Sequence, residues 1–404
     1  MPSNTEPKMD IIAQCLCKAH TFTASIPPSS LPLEASYCHC NSCRHVTGAM
    51  YSCDAPWPGP QETILNSTLA RYNFTQNVTV RFCATCSSPM FFHEHYEGRP
   101  ESLGVFIGVL TNHPVDKFVK VVDHIFVEDT IDGGATPWLM DINPDGTPPK
   151  LWKGRMNTTE ELEAPWPAID SLMKAEDKTG PGLIPLQCHC KGVNLTVRRM
   201  DSEFSKMKAS GKELPWFVNP RNLKHMCGFD PCDSCRPMFG VDMVHWTFVL
   251  AQQVEFAENN TGEPFPADTL QLKEAVLGPN RDPRLGTLSL YASSPDVQRY
   301  FCSRCSASVF YAVDDRPELL DVAAGLLCAP EGARAESLLA WELGSAIGNV
   351  GDVQGGWREK YVKAVRRGAE KWRIQRGYPK SWRRINAEEQ KPELFEDFKD
   401  LQVE

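Results

Sequence analysis

The 404-residue chain contains no hydrophobic run approaching the eighteen or so apolar residues that a membrane span requires. Residues Met1 to Asp10 are polar and lack the apolar region of a secretory leader. Excess positive charge is also missing. The formal net charge of −9 argues against nucleic-acid binding over the whole surface. With 32 prolines, long helices should be few, and turns and short strands are expected instead. Six N-x-S/T sequons, at Asn66, Asn73, Asn77, Asn157, Asn194 and Asn259, point the other way, towards secretion. The missing leader outweighs them, so a reducing, cytoplasmic setting is expected.

Cysteine, in contrast, is plentiful. In a reducing compartment, 16 cysteines at short spacings indicate metal binding rather than disulfides. The central motif is Cys38-His39-Cys40-Asn41-Ser42-Cys43-Arg44, a C-x-C-x-x-C triad. Three thiolates can converge on one zinc at about 2.3 Å each and leave its fourth position open, as in a catalytic site. Such a site suits an incoming low-molecular-weight thiol, whose thiolate the metal would stabilise for attack on a carbonyl. A regulatory or storage metal site and a redox-labile thiol cluster remain alternatives.

Around this triad the chain repeats itself. Cys15-Leu16-Cys17 recurs as Cys188-His189-Cys190, and Phe82-Cys83-Ala84-Thr85-Cys86 as Phe301-Cys302-Ser303-Arg304-Cys305. Val105 to Leu110 recurs as Val322 to Leu327, and the triad itself as Asp230-Pro231-Cys232-Asp233-Ser234-Cys235-Arg236. The second copy has longer loops: Cys17 and Cys40 are 23 positions apart, Cys190 and Cys232 are 42. Loop growth of this kind costs little closure entropy and leaves the ligands in place. Thr21 to Ile26, Val78 to Phe82, Pro89 to Phe92, Val105 to Leu110 and His124 to Val127 read as strands, and Gly133 to Trp152 as loop. The expected architecture is mainly β, as two tandem zinc-stapled domains with a helical tail. The divisions are 1–159, a linker with a short helix at 160–182, a second domain at 183–350 and a tail at 351–404. Between Trp357 and Arg384 the tail holds eleven Lys/Arg against two Glu, with Tyr361, Val365, Ala369 and Trp372 at helical spacing.

Each copy pairs a C-x-C with a distant C-x-x-C, which supplies four thiolates for a closed structural zinc. The expected sets are Cys15, Cys17, Cys83 and Cys86, and Cys188, Cys190, Cys302 and Cys305. In the second triad Asp230 replaces the first cysteine. Aspartate ligates zinc, so Asp230, Cys232 and Cys235 form either an altered site, with Cys227 as a substitute ligand, or a degenerate one; the degenerate reading is the simpler. His39 is either a support behind the ligands or a solvent-facing turn residue. Arg44 is a candidate to hold a carboxylate-bearing ligand, and Arg236 occupies the same place in the copy. Cys53 and Cys328 fit no motif and are expected to pack.

Taken together, the C-x-C, the C-H-C-x-x-C-R-x-x-x-G from Cys38 to Gly48 and the F-C-x-x-C from Phe82 resemble the glutathione-dependent formaldehyde-activating enzyme family, which includes centromere protein V. His124-Ile125-Phe126-Val127-Glu128-Asp129 looks like the late strand of its fungal-type members. The resemblance spans Ala13 to Gly154, and more loosely Leu186 to Gly348. It implies a β-tent fold of stacked antiparallel sheets, a structural zinc at the first four-cysteine set, and a second zinc at Cys38, Cys40 and Cys43, where glutathione binds. The implied activity is addition of glutathione to formaldehyde, a carbon–sulfur lyase reaction run in reverse. Another small carbonyl fits as well, because a fold hosts many chemistries. The expected partners are a small thiol and a carbonyl compound, with no membrane and no nucleic acid. A non-catalytic zinc scaffold using the basic tail is the competing expectation.

Overall fold

Alternating side chains set the first element. Residues Thr21–Ile26 pair antiparallel with Met9–Gln14, in register from Met9 opposite Ile26 to Gln14 opposite Thr21, and bury Ile11, Ala13, Ala24 and Ile26 on one face. The computed structural model describes residues 6–168, 182–257 and 263–402. Within them the protein is mainly β, with four sheets.

The nine-stranded sheet runs, from one edge, Ala70–Thr75, Val78–Phe82, Pro89–Glu94, Ser102–Phe106, Ser52–Pro56, Leu33–Cys38 and Val119–Ile125, then Lys150–Trp152 and Glu161–Leu162. The seven-stranded sheet runs Leu288–Ser294, Val297–Cys302, Ser308–Val313, Leu319–Ala323, Val244–Leu250, His225–Asp230 and Leu339–Trp341. The first seven positions of the two sheets correspond one to one, including the parallel seventh strand in each. A three-stranded sheet, Leu183–Gln187, Asn194–Arg198 and Val254–Phe256, completes the β structure.

One hydrophobic core joins these sheets. A continuous cluster of buried side chains runs from Ile11 through Phe106, Phe239 and Leu326 to Trp372 in the tail. The two sheets meet through a reciprocal pair of backbone contacts: Gly108 N donates to Gly240 O at 3.1 Å, and Gly325 N donates to Gly48 O at 3.0 Å. Gly48 and Gly240 end the helices Asn41–Thr47 and Cys235–Phe239 in left-handed conformation, where glycine alone is unstrained. A Cβ on Gly325 would overlap the carbonyl oxygen of Ala49, and one on Gly108 would overlap the backbone at Val241.

This seam corrects two strand expectations. Val105 to Leu110 and Val322 to Leu327 do not continue as strands, but turn at Ile107–Val109 and Ala324–Leu326 into 3-10 turns. Each turn is held by the helix end of the other half, a contact that apolar periodicity does not encode. His124 and Ile125 end a strand, and Val127–Thr130 is likewise a 3-10 turn. The expected loop at Gly133 to Trp152 contains a 3-10 turn at Thr136–Trp138 and the strand Lys150–Trp152. The short helix expected within 160–182 lies mostly outside the described residues. At its start Glu161–Leu162 is a strand, because it pairs with Leu151 and Trp152.

The tail forms the helices Trp357–Gln375 and Trp382–Gln390 and the 3-10 segment Pro392–Gln402. Ala, Lys, Arg and Glu favour the first helix, and Glu359 supports it by pairing with Lys363 one turn on. Its expected stripe is buried: Tyr361, Val365, Ala369 and Trp372 all lie in the core. Burying side chains of the larger sizes contributes roughly 1.5–3 kcal/mol each.

Candidate metal centres

The two four-cysteine sets converge as their spacing requires. In the first, Cys15 and Cys17 sit just beyond the opening strand, and Cys83 and Cys86 in the turn after Val78–Phe82. Their sulfurs lie within 4.8 Å of one another. Cys15 to Cys17 is 3.6 Å and Cys17 to Cys83 is 3.5 Å, close to the ~3.8 Å edge of a tetrahedron of sulfurs around zinc. Cys17 N donates to Cys86 Sγ at 3.4 Å and His20 N to Cys15 Sγ at 3.3 Å, as suits sulfurs that carry negative charge. The second set repeats this: Cys188 to Cys190 is 3.6 Å, Cys190 to Cys302 is 3.4 Å, and Val193 N donates to Cys188 Sγ at 3.2 Å. Both donor sets fit a closed zinc site.

The triad assembles where a strand runs into a helix. Cys38 ends the strand Leu33–Cys38, Cys40 caps the helix Asn41–Thr47, and Cys43 lies in its first turn. The three sulfurs lie within 4.8 Å of one another. Cys43 N donates to Cys40 Sγ at 3.2 Å. The thiols of Cys38 and Cys43 also hydrogen-bond to the Cys40 sulfur and lower its pKa. The donor set therefore fits a cation with an open position.

His39 lies behind the triad and is fully buried, which overturns the solvent-facing reading. His124 Nε2 donates to Leu139 O at 3.3 Å, leaving His124 Nδ1 to accept from His39 Nε2 at 2.8 Å. Burial lowers the pKa of both rings, that of His124 to about 4, and keeps them neutral near pH 7. Arg44 is also buried. It donates to Leu327 O at 3.2 Å and Gly325 O at 3.3 Å in the other half and to Asn41 Oδ1 at 3.1 Å, while lining a cavity of about 230 Å³ with Asn41 and Asp129. Its main contacts therefore brace the seam. Arg236 is buried too, and donates to Pro231 O.

The altered triad also converges. One carboxylate oxygen of Asp230 and the sulfurs of Cys232 and Cys235 lie within 4.8 Å of one another. Asp230 Oδ1 accepts from Cys232 N at 2.9 Å and from Asn349 Nδ2 at 3.2 Å. The Cys235 thiol hydrogen-bonds to Cys232 and lowers its pKa to about 7. Cys227 does not take part. It is three residues from Asp230 on the same strand, so its side chain faces the opposite side of the sheet. Cys53 is buried as expected, with its sulfur 3.6 Å from Gly240 O. Cys328 is half-buried, 3.7 Å from His45 Nε2.

A cavity of about 390 Å³ opens on the altered triad, lined by Asp230, Cys232 and Cys235 together with Arg299, Tyr311 and Asp321. The latter three were not singled out from the sequence. The signal was present in the repeat. Counted from the shared cysteines, Arg299 stands where the first copy has Val80, and Tyr311 where it has Phe92. Counted from the Val105 to Leu110 repeat, Asp321 stands where it has Gly104. Asp54 was missed as well. It pairs with Ser36 while Ser52 pairs with Cys38, so Asp54 and Cys38 share one face of the sheet. Its carboxylate lies over Gly104. Burial raises Asp54 to a pKa of about 7, and does the same to Asp321.

The seven cysteines of the first closed set and the first triad thus form two sulfur clusters near one sheet, in the pattern of a known zinc-using family. Residues 10–129 match the family model described as Glutathione-dependent formaldehyde-activating enzyme. The glutathione-dependent formaldehyde-activating match begins in the first strand and ends just after the strand that carries His124. The sets built from residues 188–305 lie outside it. It supports a glutathione-related function for the part of the chain that carries the triad. No curated protein and no solved structure matches this chain.

Proposed function

We propose that the chain is a zinc-dependent enzyme of the carbon–sulfur lyase type, which adds glutathione to formaldehyde or another small carbonyl at Cys38, Cys40 and Cys43. The observation that carries this reading is the convergence of those three thiols within the matched span. Bound zinc would lower the thiol pKa of glutathione and stabilise its thiolate. Cys38, Cys40 and Cys43 would hold the metal. His39 and His124, neutral and hydrogen-bonded to each other, fill the space behind the triad and exclude water from it. The glutathione sulfur attacks the carbonyl carbon, and the carbonyl oxygen takes a proton to become a hydroxyl. Asp54, on the face of Cys38 and with a pKa of about 7, is assigned to hold the proton between thiol and product.

We also propose the organisation into two zinc-stapled domains at 1–159 and 183–350, with 160–182 as linker and 351–404 as tail. The matching strand order of the two sheets supports it.

The test is exchange of ¹³C between formaldehyde hydrate and S-hydroxymethylglutathione, followed by NMR. Zinc-loaded protein should accelerate exchange above the uncatalysed rate, and Cys38→Ser with Cys43→Ser should abolish the acceleration while leaving both closed sites filled. Uncatalysed exchange with fully loaded protein would sink the proposal.

A further inference from the structure

The cavity over the altered triad has the features of a working site. Two thiolates and one carboxylate on zinc leave a net charge of −1 and one open position in a tetrahedron. Arg299 answers that charge: its Nη1 lies 3.5 Å from Cys235 Sγ, and Ser293 Oγ accepts from its Nε at 2.9 Å. The guanidinium also lies over the Tyr311 ring, 5.0 Å from its centre, which fixes it in the cavity wall. Nothing comparable stands at Val80 in the first copy. A cationic side chain brought to a ligand sulfur is not expected of a site that has only decayed.

Two further groups point to what the cavity holds. Asp321 and Glu342 line it, each with 7% of its surface exposed. Oε1 of Glu342 is buried without a hydrogen-bond partner, and Oδ1 of Asp321 makes no hydrogen bond but lies 3.3 Å from Arg316 Nη2. The other Glu342 oxygen, Oε2, accepts from Ser381 Oγ at 2.6 Å and Ser345 Oγ at 2.7 Å, so the carboxylate is held in place with one oxygen spare. The same Arg316 nitrogen donates to Asp321 Oδ2 at 3.4 Å, so Asp321 is partly matched and Glu342 Oε1 is the free acceptor. Buried acceptors left unmatched cost free energy, and the ordinary remedy is a donor supplied by a ligand. A buried carboxylate oxygen without a partner, with a second carboxylate lining the same cavity, selects a cationic donor over a neutral one.

We infer that Asp230, Cys232 and Cys235 form a second open metal site for a zinc-class cation, whose cavity binds a small aminothiol with its sulfur on the metal and its ammonium group at Asp321 and Glu342. This site is separate from the one assigned to carbonyl chemistry and stands or falls independently of it. A chain with both open sites filled would carry about four zinc ions, two in the closed sets and two in the triads. An inert second triad would leave about three.

The full-length chain carrying Cys38→Ser, Cys40→Ser and Cys43→Ser retains a single open site and permits a direct test. After reconstitution with cobalt(II), the open site should show sulfur-to-cobalt charge transfer that Cys232→Ser with Cys235→Ser removes. Elemental analysis should follow it, with one metal lost. Titration with cysteamine should perturb the cobalt bands, and 3-mercaptopropionate and 2-mercaptoethanol should bind about tenfold more weakly or worse. Asp321→Asn and Glu342→Gln, which preserve shape, should erase that preference while keeping the metal. Absence of metal at the second triad in folded protein would overturn the inference. So would 3-mercaptopropionate binding as tightly as cysteamine, or a preference unchanged by both amide variants.

Discussion

Arg358 Nε donates to Asp242 Oδ1 at 2.7 Å, with both side chains fully buried. The same guanidinium donates through Nη2 to Ile107 O at 2.8 Å. One tail residue thus fastens the turn of one half and a loop of the other. Removing one member of such a pair strands the other charge in a dry interior. Arg358→Ala should cost about 3–5 kcal/mol in chemical denaturation, and Arg358→Met with Asp242→Leu should recover most of the loss.

The basic tail is largely neutralised within the molecule. Arg373 and Arg384 meet Glu370, Lys371 meets Asp141, Arg367 meets Asp400 and Lys360 meets Asp116. Arg366 lies over the Phe395 and Phe398 rings, and Arg383 over Trp216. Fluorescence anisotropy with single-stranded RNA should therefore show no affinity beyond the roughly 10⁻⁴–10⁻⁶ M expected of non-specific binding. Tight, steeply salt-dependent binding would revive the scaffold reading.

Asp54 and Asp321 make stability depend on pH in a definite direction. Burial raises both to about 7 in the folded chain, from an ordinary carboxyl value near 3.8. The folded state therefore binds the extra protons. Their contribution is fully present below about pH 4 and is lost as pH rises through about 7. Between pH 6 and 8 the melting temperature of Asp54→Asn or Asp321→Asn should fall less steeply than that of the parent. Parallel slopes would show that neither carboxyl is perturbed.

Closed and open metal groups should differ in structural consequence. Cys86→Ser or Cys305→Ser removes a ligand that joins distant segments, so metal loss there should unfold or aggregate the protein. Cys43→Ser should release one metal with a much smaller change in melting temperature. Elemental analysis paired with thermal denaturation separates the two outcomes.

Much of this could be read from the cysteines, because ligand spacing is a local property. C-x-C places its two sulfurs together by its spacing alone, as Cys15 and Cys17 do at 3.6 Å. The stripe from Tyr361 to Trp372 was legible for the same reason, helical period being local too. The turns at Gly108 and Gly325 were not, because their shape is imposed by Gly240 and Gly48 in the other half. His39 reads equally as a support behind the ligands or as a solvent-facing turn residue until His124, 85 residues later, supplies its partner. Arg299, Tyr311 and Asp321 are unremarkable singly. They gain meaning only when set beside Val80, Phe92 and Gly104, at the matching distances from the cysteines and the Val105 to Leu110 stretch.

The reciprocal glycine seam bears on how the molecule can be taken apart. A chain cut in the 160–182 segment would leave each fragment with an uncovered helix end and an unsupported turn, and the first without Arg358 to meet Ile107. Neither fragment would be a self-sufficient protein. Produced in the same cell, they should instead find each other and behave as an obligate heterodimer. Any attempt to study one cluster of thiols in isolation would begin with half an interface.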